Sequence, residues 1–228
     1  MLKYFIAVLP AIIILILYLI FDKDKNRNKN IKLIILFILG GIGSYLCYRI
    51  EMRTGGYFPK IKTYGYMASL FYAVFGVAIF EEGYKWFFTN VFSIRKQCSK
   101  LEIMEYAFVV SLGFAIYENV VFYVAKYGVD VAVSRLFTAI PLHLLCAIIM
   151  GMFLIKDSKK IINNILALVV PTMIHALYNS FLYMKIDSLN IYGYLVIVIV
   201  TFYIFYKYVK IRLIKEWYFA WINWTRTS

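Results

Sequence analysis

Seven apolar runs, each long enough to cross a lipid bilayer, account for most of this chain. They cover roughly residues 4–21, 31–50, 64–90, 102–126, 133–155, 161–184 and 189–209. A helix rises ~1.5 Å per residue, so about 20 apolar residues cover the ~30 Å of hydrocarbon. The expected fold is all-α: a polytopic membrane bundle of about seven transmembrane helices, organised as a single domain over residues 1–228. Composition agrees. The chain is 63% hydrophobic and 16% charged, with a mean hydropathy of +0.75, against about half and about a quarter in soluble domains. That excludes a soluble enzyme, a disordered regulator and a secreted disulfide scaffold. Cys47, Cys98 and Cys146 are scattered, with no CxxC pair to suggest a disulfide framework or a zinc knuckle. The first run is too long for a signal peptide and no small-residue cleavage site follows it.

The net charge of +13 resides mainly in short segments between the runs, where loops meet anionic headgroups. No basic face on a soluble domain is left for a nucleic acid. With the N-terminus outside, the inner segments carry 16 Lys or Arg and the outer ones 8. The positive-inside rule then predicts the N-terminus outside and the C-terminus in the cytoplasm. In the tail at 210–228, Trp217, Trp221 and Trp224 recur at helical spacing behind Lys207, Lys210, Arg212 and Lys215. This reads as an interfacial amphipathic helix that anchors the chain.

Several polar residues fall where lipid should be. The third run carries Glu81, Glu82 and Lys85, the fourth Glu118 and Asn119, the fifth His143, and the sixth His175 and Asn179. Each charge costs roughly 2.5–3.5 kcal/mol at a helix centre, so these groups are expected to cluster, pair or meet water. Counted from the inner ends at ~1.5 Å per residue, Glu81 lies ~14 Å deep, His143 ~20 Å, His175 ~22 Å and Glu118 ~24 Å. These depths are compatible with one layer. Glu81 and Lys85 share a helix face at i,i+4, as do His175 and Asn179, while Glu82 points about a quarter-turn away. Pro141 and Pro171 precede the two histidines and are expected to kink their helices. His143, Ala147 and Gly151 form a stripe that ends small and permits close helix approach.

Taken singly, each residue has a structural reading: a histidine as an interhelical hydrogen-bond partner, a Glu–Lys pair as a local tie, an asparagine as helix glue. Packing alone does not call for three glutamates, two histidines and a lysine in four consecutive runs. Peptide hydrolysis needs an activated water and a stabiliser for the developing oxyanion. Burial away from water strengthens a carboxylate as a base, which suits Glu81 or Glu82. Histidine can share the proton traffic, and Asn179 can donate a neutral hydrogen bond. Alternatively Glu81, Glu82, Glu118, His143 and His175 include enough donors to hold one divalent metal such as zinc. No HExxH, no GxSxG and no aspartate within a run is present.

Glu81-Glu82-x-x-Lys85, Phe114-x-x-x-Glu118-Asn119, Pro141 with His143, and His175-x-x-x-Asn179 follow in order over residues 81–179. In these motifs the chain resembles the PrsW family of bacterial membrane proteases, within the wider group of CAAX prenyl endopeptidases and bacteriocin-processing enzymes. The wider group often has Arg at the place of Lys85 and His at that of Glu118, so the PrsW branch fits better. The resemblance implies a catalytic four-helix core at 64–184 and a multi-pass protein of the bacterial cell membrane. It implies site-1 cleavage of a single-span anti-sigma factor on its extracytoplasmic side, before a second intramembrane protease frees the sigma factor. Carried over, Glu81 and Glu82 are the catalytic pair. Glu118, His143 and His175 position water or metal, Asn179 assists, and Lys85 and Asn119 support the site. Two other readings compete: a proton- or ion-coupled transporter using the same buried groups, and a non-catalytic scaffold that binds a partner span.

Overall fold

The computed structural model describes residues 12, 27–57, 65–94, 98–124, 128–155 and 161–184. Among these residues there are only helices, in the order α1 (Arg27–Tyr57), α2 (Tyr66–Tyr72), a π-helical stretch (Ala73–Ala78), α3 (Ile79–Ile94), α4 (Lys100–Tyr117), a second π-helical stretch (Glu118–Val124), α5 (Val129–Phe137), α6 (Ala139–Leu154) and α7 (Ile161–Met184). Four segments are long and apolar enough to span a membrane: Lys29–Thr54, Lys100–Val121, Val129–Leu154 and Ile161–Tyr183. They correspond to the expected runs 31–50, 102–126, 133–155 and 161–184.

The expectation of seven spans is thus met by four among the described residues. The runs at 4–21 and 189–209 and the tail at 210–228 lie outside the described residues. The run at 64–90 is helical from Tyr66 to Ile94. A π-helical stretch joins its α-helical pieces of 7 and 16 residues into one continuous helix, which carries Glu81, Glu82 and Lys85.

In lipid, helices gain little from hiding apolar side chains from one another, so close approach and polar contacts decide the packing. α4 is the central helix: it packs on α1, α3 and α6, and α6 packs on α7. Where α1 crosses α4, a Cβ on Gly40 would strike the Val110 carbonyl, and one on Gly113 would strike the Phe37 carbonyl. Both glycines are therefore needed for backbone-to-backbone contact. Leu33, Leu36, Tyr106, Val109 and Val110 close the same interface as a buried cluster. Gly151, the small end of the stripe from His143, lies against Met104 of α4. Ile34, Ile38 and Ile42 of α1 stay exposed, as suits a face turned to lipid.

The helix ends carry their own explanations. Ser99 caps α4 through a reciprocal box: its Oγ accepts from the Glu102 backbone N–H at 3.2 Å, and the Glu102 carboxylate accepts from the Ser99 N–H at 2.8 Å. The kink expected at Pro141 does not arise. The chain breaks earlier, at Thr138, whose φ of −124° and ψ of −73° separate α5 from α6. Pro141 then falls in the first turn of α6, where a missing N–H costs no helical bond. Pro171 does lie inside α7, and its carbonyl accepts from the Cys146 thiol at 3.6 Å.

Candidate functional site

Two of the local irregularities adjoin the polar residues. One π-helical stretch ends at Ala78, just ahead of Glu81 and Glu82, and the other begins at Glu118. An extra residue in a helical turn rotates everything beyond it, and such turns are frequent at functional sites. Nothing in the spacing of the apolar residues announces them.

The expected layer forms. Glu81, Glu82, His143 and His175 are all buried, and each offers a ligand atom within 4.8 Å of those of the others. Glu118 joins them through His143, its Oε2 being 2.8 Å from the imidazole Nε2. Asn119 is fully buried. Asn179 is half-buried, one turn beyond His175, and makes no hydrogen bond or ion pair to the cluster among the described residues.

Lys85 lies at the centre. Its Nζ is 2.8 Å from Glu82 Oε1 and 2.8 Å from His143 Nδ1, with Glu81 Oε2 at 3.9 Å. Lys85 shares a face with Glu81 at i,i+4, but it is held more closely by Glu82, at i,i+3. The lysine stem is long enough to reach either row of the helix, and the tie to His143 pulls it toward Glu82. The ammonium also lies 4.3 Å from the centre of the Phe114 ring, a favourable cation–π arrangement.

Donor chemistry fixes the tautomers. An ammonium has hydrogens and no lone pair, so His143 Nδ1 accepts from Lys85. The proton of a neutral His143 is then on Nε2 and is donated to Glu118. On the other side His175 Nδ1 lies 2.8 Å from Glu82 Oε1, so the Nδ1–H donates and the lone pair of a neutral His175 is on Nε2. That Nε2 is 3.9 Å from Glu81 Oε2. Glu81 Oε2 is buried and has no hydrogen-bond donor among the described residues.

Two partners escaped the sequence reading. Arg135 of α5 is buried, and its Nη2 lies 2.7 Å from Glu118 Oε1. A lone arginine inside an apolar run was the available signal. Glu51, near the end of α1, brings another carboxylate against Glu81, and its position past the end of the run at 31–50 hid it among loop charges.

Chemically the arrangement is a chain of charge-assisted contacts across several helices. It runs from Arg135 through Glu118, His143, Lys85 and Glu82 to His175, and ends at two acceptors facing each other, Glu81 Oε2 and His175 Nε2. The donor types also fit a divalent metal, since carboxylate and imidazole are the usual ligands of a hydrolytic zinc.

The family model described as PrsW family intramembrane metalloprotease matches residues 29–206. Protease PrsW of Oceanobacillus iheyensis is 32% identical over 116 residues, covering 48% of this chain and 54% of that protein. Protease PrsW of Bacillus subtilis is 31% identical over 121 residues, covering 50% and 55%. That of Clostridioides difficile is 26% identical over 164 residues, covering 67% of each. The matched region thus spans about half the length of the first two relatives. No solved structure matches. A family match over most of the chain, together with the buried Glu–Glu–His–His cluster, places this protein in the PrsW family of intramembrane metalloproteases.

Proposed function

We propose that this protein is a membrane-embedded endopeptidase that cleaves a single-span membrane protein, with site-1 cleavage of an anti-sigma factor as its task. Residues 64–184 form the catalytic core in this reading. The chain is a multi-pass protein of the bacterial cell membrane, with seven spans, the N-terminus outside and the C-terminus cytoplasmic.

The observation that carries the reading is the pair of facing acceptors, Glu81 Oε2 and His175 Nε2, at 3.9 Å. A water donates one hydrogen to each and presents its own lone pair to a peptide carbonyl. Glu81 is the base that takes its proton, and His175 holds it in line. Glu82 fixes the His175 tautomer through Nδ1. Lys85 pairs with Glu82 and orients His143, while Glu118 and Arg135 lock His143 from the far side. Asn179, on the same face as His175, supplies a neutral donor to the developing oxyanion. Glu81, Glu82 and His175 are also the residues that would hold a divalent metal, which would supply Lewis-acid activation of the same water.

The test is cleavage of a tagged single-span anti-sigma factor in proteoliposomes, comparing wild type with Glu81→Gln at equal incorporation. A shortened product with wild type alone supports the reading. Equal cleavage by both removes Glu81 as the base. A pH-dependent ion flux lost in Glu81→Gln, with no cleavage by either protein, replaces protease with proton-coupled transporter.

A further inference from the structure

His143 counts among the four potential metal donors, yet neither of its nitrogens is at liberty to bind one. Nδ1 has a single lone pair, and Lys85 Nζ takes it at 2.8 Å. Nε2 carries the proton and is bound to Glu118 Oε2 at 2.8 Å. A metal reaching Nδ1 must displace the ammonium. A metal reaching Nε2 must move the ring proton, break the tie to Glu118 and leave Lys85 facing a protonated Nδ1. Glu82 Oε1 is likewise shared between Lys85 and His175. The place where such a cation would lie is built for one: two carboxylates, an imidazole lone pair and the face of Phe114 surround it. Lys85 occupies it as a tethered cation and is itself fully buried.

We infer that the Lys85 ammonium and a divalent metal are alternative occupants of the His143 side of the cluster, so that His143 is not a metal ligand while Lys85 is in place. The inference rests on the protease reading only for the site's purpose; the competition follows from lone pairs and distances. Any metal bound beside Lys85 is confined to Glu81, Glu82 and His175. His143 serves the lysine.

Binding of Co²⁺, a metal whose visible spectrum reports its ligands, tests this on the full-length protein in detergent micelles. Lys85→Met keeps most of the stem and removes the charge. It is expected to bind Co²⁺ at least tenfold more tightly than wild type, about 1.4 kcal/mol, and to lose that gain in Lys85→Met/His143→Ala. In the wild-type background, His175→Ala is expected to weaken Co²⁺ binding, while His143→Ala leaves it unchanged or tightens it. This second pair decides the matter if Lys85→Met does not fold. Equal affinity of Lys85→Met and wild type overturns the inference. So does a wild-type affinity that falls as far with His143→Ala as with His175→Ala, or no Co²⁺ binding by any folded variant. Failure of the protease reading looks different: no cleavage, with the predicted order of Co²⁺ affinities intact.

Discussion

His143 and Lys85, 58 residues apart in sequence, meet with ring nitrogen and ammonium 2.8 Å apart. That contact sets the tautomer of His143, and through Glu82 the lysine also sets that of His175. Glu81 and Glu82 are adjacent in sequence but held differently: Glu82 Oε1 is tied by Lys85 and His175, whereas Glu81 Oε2 has no hydrogen-bond donor among the described residues. Glu81→Gln should fold normally and lose catalysis by about 10²–10⁴-fold, the usual worth of a positioned base. Glu82→Gln should lose activity and stability together, since it strips the counter-charge from a buried lysine, at about 3–5 kcal/mol. Thermal unfolding beside cleavage separates the two, and equal melting temperatures would contradict the assignment.

Arg135 holds Glu118, which in turn holds His143. Arg135→Ala should reduce kcat with little change in KM and should also destabilise the fold, because the half-buried Glu118 loses the guanidinium that faces its Oε1. Arg135→Lys should recover part of both losses, as a point charge replaces one arm of the guanidinium. Single-turnover cleavage and melting curves check this. Full activity in Arg135→Ala would place Arg135 outside the catalytic chain.

Much of this site was legible because charge inside lipid is expensive. Glu81, Glu82, Lys85, Glu118, His143 and His175 stood out against their apolar runs, and their depths along four helices pointed to one layer. What spacing could not convey is rotation. The π-helical stretches at Ala73–Ala78 and Glu118–Val124 change which residue faces the cluster, and the lysine's reach made Glu82 its closer partner. Arg135 and Glu51 were hidden for a related reason: near the ends of apolar runs, a charge at the interface and a charge folded back into the site read alike.

The crossing of α1 and α4 makes an unequal prediction for glycines. Gly113→Ala puts a methyl group onto the Phe37 carbonyl, a backbone atom that no rotamer change can move. Separating the helices should cost about 1–3 kcal/mol or more. At Gly83, beside Glu81 and Glu82, an added Cβ meets only Leu168 Cδ1 at 4.0 Å, so Gly83→Ala should leave stability unchanged or slightly improved by helix propensity. Melting of the two variants in the same detergent checks the contrast, and the reverse order would refute the crossing geometry.

Lys29 of α1 and Glu105 of α4 form a further buried ion pair, Nζ to Oε2 at 3.0 Å, with only 6% and 4% of the side chains exposed. The pair ties the same two helices as the glycines, and it lies apart from the Glu–His cluster. Burying two charges costs much of what their attraction returns, so removing one partner is far worse than removing both. Lys29→Met or Glu105→Leu alone should each lower stability by about 3–5 kcal/mol. The double variant, which replaces the pair with apolar side chains of similar size, should recover most of that loss. Cleavage per folded molecule should be the same in all three. A double-mutant cycle in detergent measures the coupling directly. If the double variant is as unstable as the sum of the singles, the two charges do not act as a pair, and the α1–α4 contact is held by packing alone.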